Sequence, residues 1–205
     1  GVDPENGDPL WYMDEKDANK NPTGRRVTTN DYSSADYYYV NKSSLPKVYG
    51  GFNTSLSWKG FDLSAIFAYS IGGYIYNRDI TMILHNGSLE GRDWSTEILK
   101  RWTPDNRYTD VPALSTTSNN WNSASTRFLQ NNSYMRLKNL TLSYNLPKQW
   151  ISKLSLSSVQ VYVQGDNLFT IHRNQGLDPE QGITGITYYR YPAMRTISGG
   201  INVSF

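Results

Sequence analysis

The chain has no cysteine among its 205 residues, so neither a disulfide framework nor a thiolate metal site is open to it. Histidine is almost as scarce. His85 and His172 are the only two, far apart and outside any HExxH-like pair or Ser/His/Asp context, and both read as surface histidines. Basic runs are missing as well. With 20 Lys and Arg against 18 Asp and Glu, the formal net charge of +2 is too even for the electrostatic footprint of nucleic-acid binding. No apolar run approaches the roughly 20 residues of a membrane-spanning helix, and mean hydropathy is −0.60. That absence does not exclude a membrane, because a transmembrane strand needs only about ten residues with every second one apolar. A secretory leader, basic and then apolar, is not found at the N-terminus. An outer-membrane protein requires one, so on that reading the sequence begins inside a longer gene.

What the chain has in excess is aromatic side chains, 14% of the total, with 16 Tyr and 6 Trp. Each joins an apolar ring to one polar tip, which suits a bilayer interface. The same composition suits a carbohydrate-binding β module, so composition alone leaves both open. Asp3, Glu5, Asp8 and Asp14 form an acidic cluster, but glycine does not fall where a calcium loop needs it, and the cluster reads as a turn-rich loop. Asp178 and Glu180 are two apart, and without a partner across a cleft they do not make a glycosidase pair; contact at a rim or with a lid is the better reading. The chain is expected to be no enzyme and to need neither cofactor nor metal.

The strongest pattern is period two, which a strand with two different faces requires. Phe52, Leu56 and Trp58 share one face, with Thr54 between them, and Asn53, Ser55 and Ser57 share the other. Lys59-Gly60 makes a tight turn, after which Phe61, Leu63, Ala65, Phe67 and Tyr69 alternate with Asp62, Ser64, Ile66, Ala68 and Ser70; this is a hairpin. A third strand runs from about Phe128 to Leu146. Leu140, Leu142, Tyr144 and Leu146 hold its apolar parity, but Met135 and Leu137 hold the opposite one. One extra residue near Lys138-Asn139, a β-bulge, reconciles the two halves. Pro147 ends the strand for want of an N–H. A fourth strand spans Val159 to Ile171. In the fifth, Ile197, Gly199, Ile201, Val203 and Phe205 alternate with Ser198, Gly200, Asn202 and Ser204.

The connections sort by length. Lys59-Gly60 is minimal, and Pro147 to Ser158 is short, with a helical turn expected around Trp150 to Leu154. Asn77 to Thr126 and His172 to Arg195 are long. Because successive strands alternate direction, the short connections fall at one end of the sheet and the long ones at the other, as in outer-membrane barrels. Residues 1–46 are read as a loop segment on the long-loop side, and residues 47–205 as barrel strands with loops 77–126 and 172–195. Within the first long loop, Trp94, Ile98 and Trp102 recur every four residues and predict a helix over Arg92 to Trp102, closed by Pro104.

A β-sandwich also has alternating faces, but its outer face meets bulk water and is usually charged. Here the polar faces are mostly Ser, Thr, Asn, Gln and Gly, with Asp62 the exception, as suits a wet lumen. Trp58, Phe61, Tyr144 and Phe205 stand near strand ends, where girdle aromatics belong. The sandwich stays open on these grounds. A barrel requires that Leu56, Phe67, Leu142 and Val203 face lipid and do not converge into one dry interior.

Several stretches resemble the SusC/RagA group of TonB-linked outer-membrane transporters of Bacteroidetes. They are Ser57-Trp58-Lys59-Gly60-Phe61-Asp62-Leu63-Ser64, Arg101-Trp102-Thr103-Pro104-Asp105-Asn106, Ser133-Tyr134-Met135-Arg136-Leu137-Lys138-Asn139-Leu140-Thr141-Leu142 and Gly165-Asp166-Asn167-Leu168-Phe169-Thr170. The Gly176-Leu177-Asp178-Pro179-Glu180 loop, Tyr191-Pro192, Arg195-Thr196 and the closing Asn202-Val203-Ser204-Phe205 fit in the same order. The resemblance runs from about Leu45 to the last residue. It implies an all-β fold whose antiparallel strands form the C-terminal part of a transmembrane barrel of about 22 strands, with long extracellular loops containing a short helix. It further implies residence in the bacterial outer membrane, contact with lipid, a SusD-like surface lipoprotein as lid, and TonB acting through a plug that this chain lacks. Oligosaccharide or peptide import would then belong to the parent protein. A final apolar strand ending in Phe resembles the signal read by the barrel-assembly machinery, which points to Ile201, Val203 and Phe205.

For substrate contact, sugars need flat aromatic faces beside amides and hydroxyls. Asn119, Asn120, Trp121 and Asn122 supply that mixture in one loop, and Tyr188, Tyr189 and Arg190 in another; docking of a lid or plain loop packing is the alternative for each. Two other readings are a soluble glycan-binding β module and a non-transport barrel acting as an adhesin or anchor. The first requires the chain to bury its own aliphatic strand faces; the second requires a barrel without a plug.

Overall fold

The computed structural model describes residues 1–87, 89–117, 120–174, 176–180 and 182–205. In chain order its strands are β1 (Trp11–Lys16), β2 (Pro22–Thr29), β3 (Val48–Trp58), β4 (Phe61–Ile71), β5 (Tyr74–Asn77), β6 (Leu129–Asn131), β7 (Tyr134–Asn145), β8 (Ser158–His172), β9 (Ile186–Thr187) and β10 (Thr196–Ser204). Helix is confined to α1 (Arg78–Ile83), α2 (Lys148–Ile151) and single 3-10 turns. None of these is long and apolar enough to cross a membrane. The chain divides into two compact units, residues 1–41 with 77–129 and residues 42–76 with 130–205.

The second unit is built on a five-stranded antiparallel sheet in the order β10-β8-β7-β4-β3, in which each strand pairs with the next of the five along the chain. The expected hairpin is there, closing at Trp58↔Phe61. Lys59 and Gly60 take φ of 48° and 88°, the paired positive values of a type I′ turn. The expected bulge is there too. Ile66 pairs with Asn139 and Phe67 with Leu137, so Lys138 is the extra residue. On the other side Leu137 pairs with Phe169 and Asn139 with Asp166, and β8 accommodates Asn167 and Leu168 between them.

The bulge keeps each face uniform. One cross-strand row reads Leu56, Leu63, Leu142, Val163 and Gly199, and the next Trp58, Phe61, Tyr144, Val161 and Ile201. Aromatic pairs add to the same face. Phe61 and Tyr144 lie 4.5 Å apart, and Phe52 stacks on Phe67 at 4.7 Å. This apolar face is not a core: Leu56 is 67% exposed, Leu142 42% and Val203 44%. Phe67, half-buried, lies on the same face and does not meet them in an enclosed interior.

The first unit contains a β1–β2 hairpin inside the segment read from sequence as loop. Its core includes Leu84, Ile98, Val111 and Phe128. His85 also lies there, 1% exposed, which corrects its reading as a surface residue. Its Nδ1 accepts from the Gly87 and Leu89 amides and from Trp94 Nε1 at 3.2–3.4 Å, so the proton sits on Nε2. Burial pushes its pKa below the ordinary imidazole value, with the Arg92 backbone opposing. The helix expected over Arg92 to Trp102 shrinks to a 3-10 turn, Thr96–Lys100, capped by Ser95. The Trp102 amide bonds to the Val111 carbonyl at 2.8 Å, which stops the helix short of the third aromatic position.

The β3–β4 turn can be tested directly. A Cβ at Gly60 would come within 3.2 Å of the Asn145 carbonyl and the Tyr144 ring, and alanine is strained at its φ. Gly60→Ala should therefore cost about 1 kcal/mol or more, whereas Lys59→Asn, better suited to positive φ, should raise stability. Denaturant midpoints of the two variants check both signs.

Candidate functional site on the polar face of the sheet

The face opposite the aliphatic rows carries a continuous ladder of side-chain hydrogen bonds. Ser57 donates to Asp62, Asn145 Nδ2 donates to Asp62 Oδ2 at 2.7 Å, Gln160 Nε2 to Asn145 Oδ1 at 3.1 Å, and Asn202 Nδ2 to Gln160 Oε1 at 3.2 Å. One residue comes from each of the five strands. Next to it Asn139 and Gln164 donate to Asp166, and Thr141 donates to Asn139. Groups left over from these pairs face a wet surface able to exchange hydrogen bonds with water or a hydroxylated or amide-bearing solute.

Above the ladder, the described residues of 173–195 fold back on the sheet through an ionic cluster in which Arg136 and Asp178 are buried and Lys138 and Glu180 partly exposed. Arg136, 3% exposed, donates through Nε to Thr170 Oγ1 at 2.8 Å, through Nη1 to Glu180 Oε2 at 2.8 Å, and through Nη2 to Asp178 Oδ1. Lys138, the bulge residue, reaches Glu180 at 2.6 Å. Asp178 also accepts the Glu180 amide at 2.9 Å and the Ala193 amide at 2.6 Å. Asn132 donates to the Pro179 carbonyl, and Asn174 to Asn132, each at 2.8 Å. Burial pushes the Asp178 carboxyl up, but the two amides and Arg136 outweigh it, and its pKa lies below the ordinary carboxylate value.

Between this segment and the end of the sheet lies a cavity of about 310 Å³, lined by Tyr49, Tyr69, Tyr74, Tyr134 and Asn132 among others. Ser44 closes one side by donating to the Ile183 carbonyl at 2.8 Å, and Lys42 lies 4.6 Å over the Tyr74 ring. Flat phenol faces beside an amide make it chemically suited to a sugar or a peptide.

Of the candidates chosen from sequence, Asn119 lies outside the described residues. Asn120 sits at φ 58° in a turn, its carbonyl accepting from the Ser123 amide at 2.9 Å. Trp121 is 4% exposed with the Arg127 guanidinium 3.7 Å over its ring, so that ring is committed to packing within its own unit and not offered to solvent. Asn122 is partly exposed. In the other unit Tyr188 and Tyr189 are exposed with ring centroids 4.0 Å apart, and Arg190 follows them, also exposed. Ile201 and Val203 lie on the apolar face of β10, paired with Val161 and Val159, and Phe205 follows the strand's last residue.

Sequence reasoning missed the Arg136–Lys138–Asp178–Glu180 cluster as a unit. The signal was there: two cations two apart on an otherwise nearly neutral strand, and two carboxylates two apart in a loop. What joins them is separation in sequence closed by folding, which spacing does not show. Among the described residues no group of three His, Asp or Glu has the proximity to hold a metal ion.

No profile of a known protein family matches the chain. Among curated proteins it is similar to TonB-dependent receptor P3 of Formosa agariphila, 34% identical over 166 residues, covering 76% of this chain and 16% of the relative. TonB-dependent receptor P26 of the same organism is 31% identical over 84% of this chain and 18% of its own length. TonB-dependent receptor SusC of Bacteroides thetaiotaomicron is 28% identical over 82% of this chain and 16% of its own. Among solved structures, the RagAB peptide importer in its closed-closed state superposes on the whole chain with a TM-score of 0.83 and 35% identity. A second RagAB peptide transporter structure gives 0.84 at 35% identity. The chain spans only 16–18% of the length of the curated relatives and 22% of the matched structural chains.

The ionic cluster predicts how the segment 173–195 is held. Arg136→Met leaves Asp178 buried without its cation, a change that typically costs about 3–5 kcal/mol. Hydrogen exchange at the Glu180 and Ala193 amides should speed up roughly a hundredfold or more on that scale. The pH dependence has a definite sign. Because the folded pKa of Asp178 is depressed, its contribution is complete above the unfolded value of about 3.9 and is lost as pH falls through the lower folded value.

Proposed function

The chain belongs to the SusC/RagA group of TonB-dependent receptors, outer-membrane β-barrel proteins, and from that premise we propose that it forms part of the wall of a nutrient importer. The observation that carries the reading is the inverted sheet, its aliphatic rows open to the outside and its hydroxyl and amide side chains tied into a ladder on the other face. A soluble protein of this size would cover such rows with its own chain. A barrel turns them to lipid and keeps the polar face toward an aqueous bore.

In this reading the solute is an oligosaccharide or a peptide, and no step of its passage makes or breaks a covalent bond in it. A SusD-like surface lipoprotein works as the lid, and TonB acts through a part of the receptor other than this chain. The two short connections, β3–β4 and β7–β8, face the periplasm, and the segment 173–195 lies on the extracellular side. The cavity at the end of the sheet, with Tyr188, Tyr189 and Arg190 in the segment above it, supplies solute contacts. Asn120 and Asn122 do so in their own loop. Ile201, Val203 and Phe205 carry the strand read by the barrel-assembly machinery.

Adjacent residues of β3 provide the test. Phe52→Lys in the full-length receptor places a charge at mid-strand on the lipid face, which costs about 2–4 kcal/mol near the bilayer midplane. Asn53→Lys, one residue away, places the same charge in the bore. The first should sharply lower the amount of folded receptor in outer-membrane fractions, and the second should not. Equal yields would refute the membrane reading. Import itself is checked in a receptor-deletion strain, where the wild-type full-length gene should restore growth on an oligosaccharide or on peptides, and restored growth on neither points instead to an adhesin or anchor.

A further inference from the structure

A second cavity, of about 340 Å³, lies between the upper part of β8 and the segment 173–195, and its charge sets it apart. Arg136, Arg190 and Arg195 line it against a single lining carboxylate, Asp178. That carboxylate is already engaged by Arg136 and by the Glu180 and Ala193 amides. Arg190 and Arg195 are exposed, and neither has a carboxylate within salt-bridge distance among the described residues. The 530 Å³ cavity of the first unit makes the contrast clear, because its charges are spent locally: Lys100 on Glu97, Arg107 on Glu5, and Asp110 on Arg127.

Other features of the lining fit an anion. Thr170 adds a hydroxyl to the lining, while His172 Nδ1 is spent on the Asn174 carbonyl at 3.0 Å. Tyr189, immediately before Arg190, is held at φ 50°, a conformation that bulky residues rarely adopt and that tends to mark functional segments. A planar guanidinium presents paired N–H donors that match an oxyanion, and two of them without internal counter-charge favour an anionic guest over a neutral one. The volume is at the lower end of the roughly 300–1,000 Å³ usual for small-ligand sites, the scale of one charged group and its immediate carrier.

We propose that Arg190 and Arg195 form an oxyanion subsite, taking a carboxylate, sulfate or phosphate group carried by the solute that the receptor handles. The identity of that solute as cargo rests on the import reading above; the anion site itself does not.

The test uses the full-length receptor, purified in detergent and freed of lipopolysaccharide, with inorganic sulfate as probe and chloride at equal ionic strength as control. Phenylglyoxal labels accessible guanidiniums, and peptide mass spectrometry reads each position separately. Once sulfate reaches about ten times its dissociation constant, labelling of Arg190 and Arg195 should slow on the order of tenfold. Arg25, exposed elsewhere in the chain, should be labelled at the same rate in both salts. R190Q should abolish the sulfate effect at Arg195, and R195Q that at Arg190. Equal rates in sulfate and chloride overturn the proposal. Protection that appears only when lipopolysaccharide is added back also overturns it, because the guanidiniums then serve lipid. As the readout is on purified receptor, failure of the growth assay leaves this result standing, and failure here leaves the import reading standing.

Discussion

Arg136 carries a full charge at 3% exposure, and a guanidinium removed from water to that degree is stable only where carboxylates and acceptors surround it. Asp178, Glu180 and Thr170 do so. The geometry depends on the bulge at Lys138, which holds Leu137 and Met135 on the aliphatic face, leaves Arg136 on the polar one, and lets Lys138 reach Glu180 as well. Through the Glu180 and Ala193 amides, the same carboxylate fixes both ends of a long excursion of the chain. The two cavities described above are bounded in part by that excursion, so their shape is tied to the buried pair.

The sheet itself follows a different rule from that of a water-soluble domain. Its aliphatic rows stay open, and its polar side chains are the ones that find partners across strands. In lipid that arrangement satisfies both faces, because hydrocarbon meets the rows and the bore solvates the ladder. Nor do the five strands close on themselves: β3 and β10 are edges whose outer backbone groups need further strands. The matched RagAB chains, of which this chain spans 22%, are long enough to supply such strands in a closed wall.

Much of this was legible beforehand, because alternation is a local property with a short period. The five strands, the Lys59-Gly60 turn, the bulge and the sorting of connections follow from which neighbours are apolar. The β1–β2 hairpin was not legible, because neither Trp11–Lys16 nor Pro22–Thr29 alternates apolar with polar side chains. The helix over Arg92 to Trp102 was over-read, because its spacing of four is also met by three side chains packing separately. His85 was misplaced because a single imidazole has no periodicity to reveal that it is buried.

By itself, then, the sequence determined the faces of the strands and their order along the chain, because side chains two apart share a side whatever surrounds them. Only the tertiary structure decided which charges meet. Arg136 and Asp178 are 42 residues apart, and Arg190 and Arg195 stay uncompensated because the nearby carboxylate is already taken. Pairing across such distances depends on how the loop closes, a matter of packing and desolvation that no local pattern records.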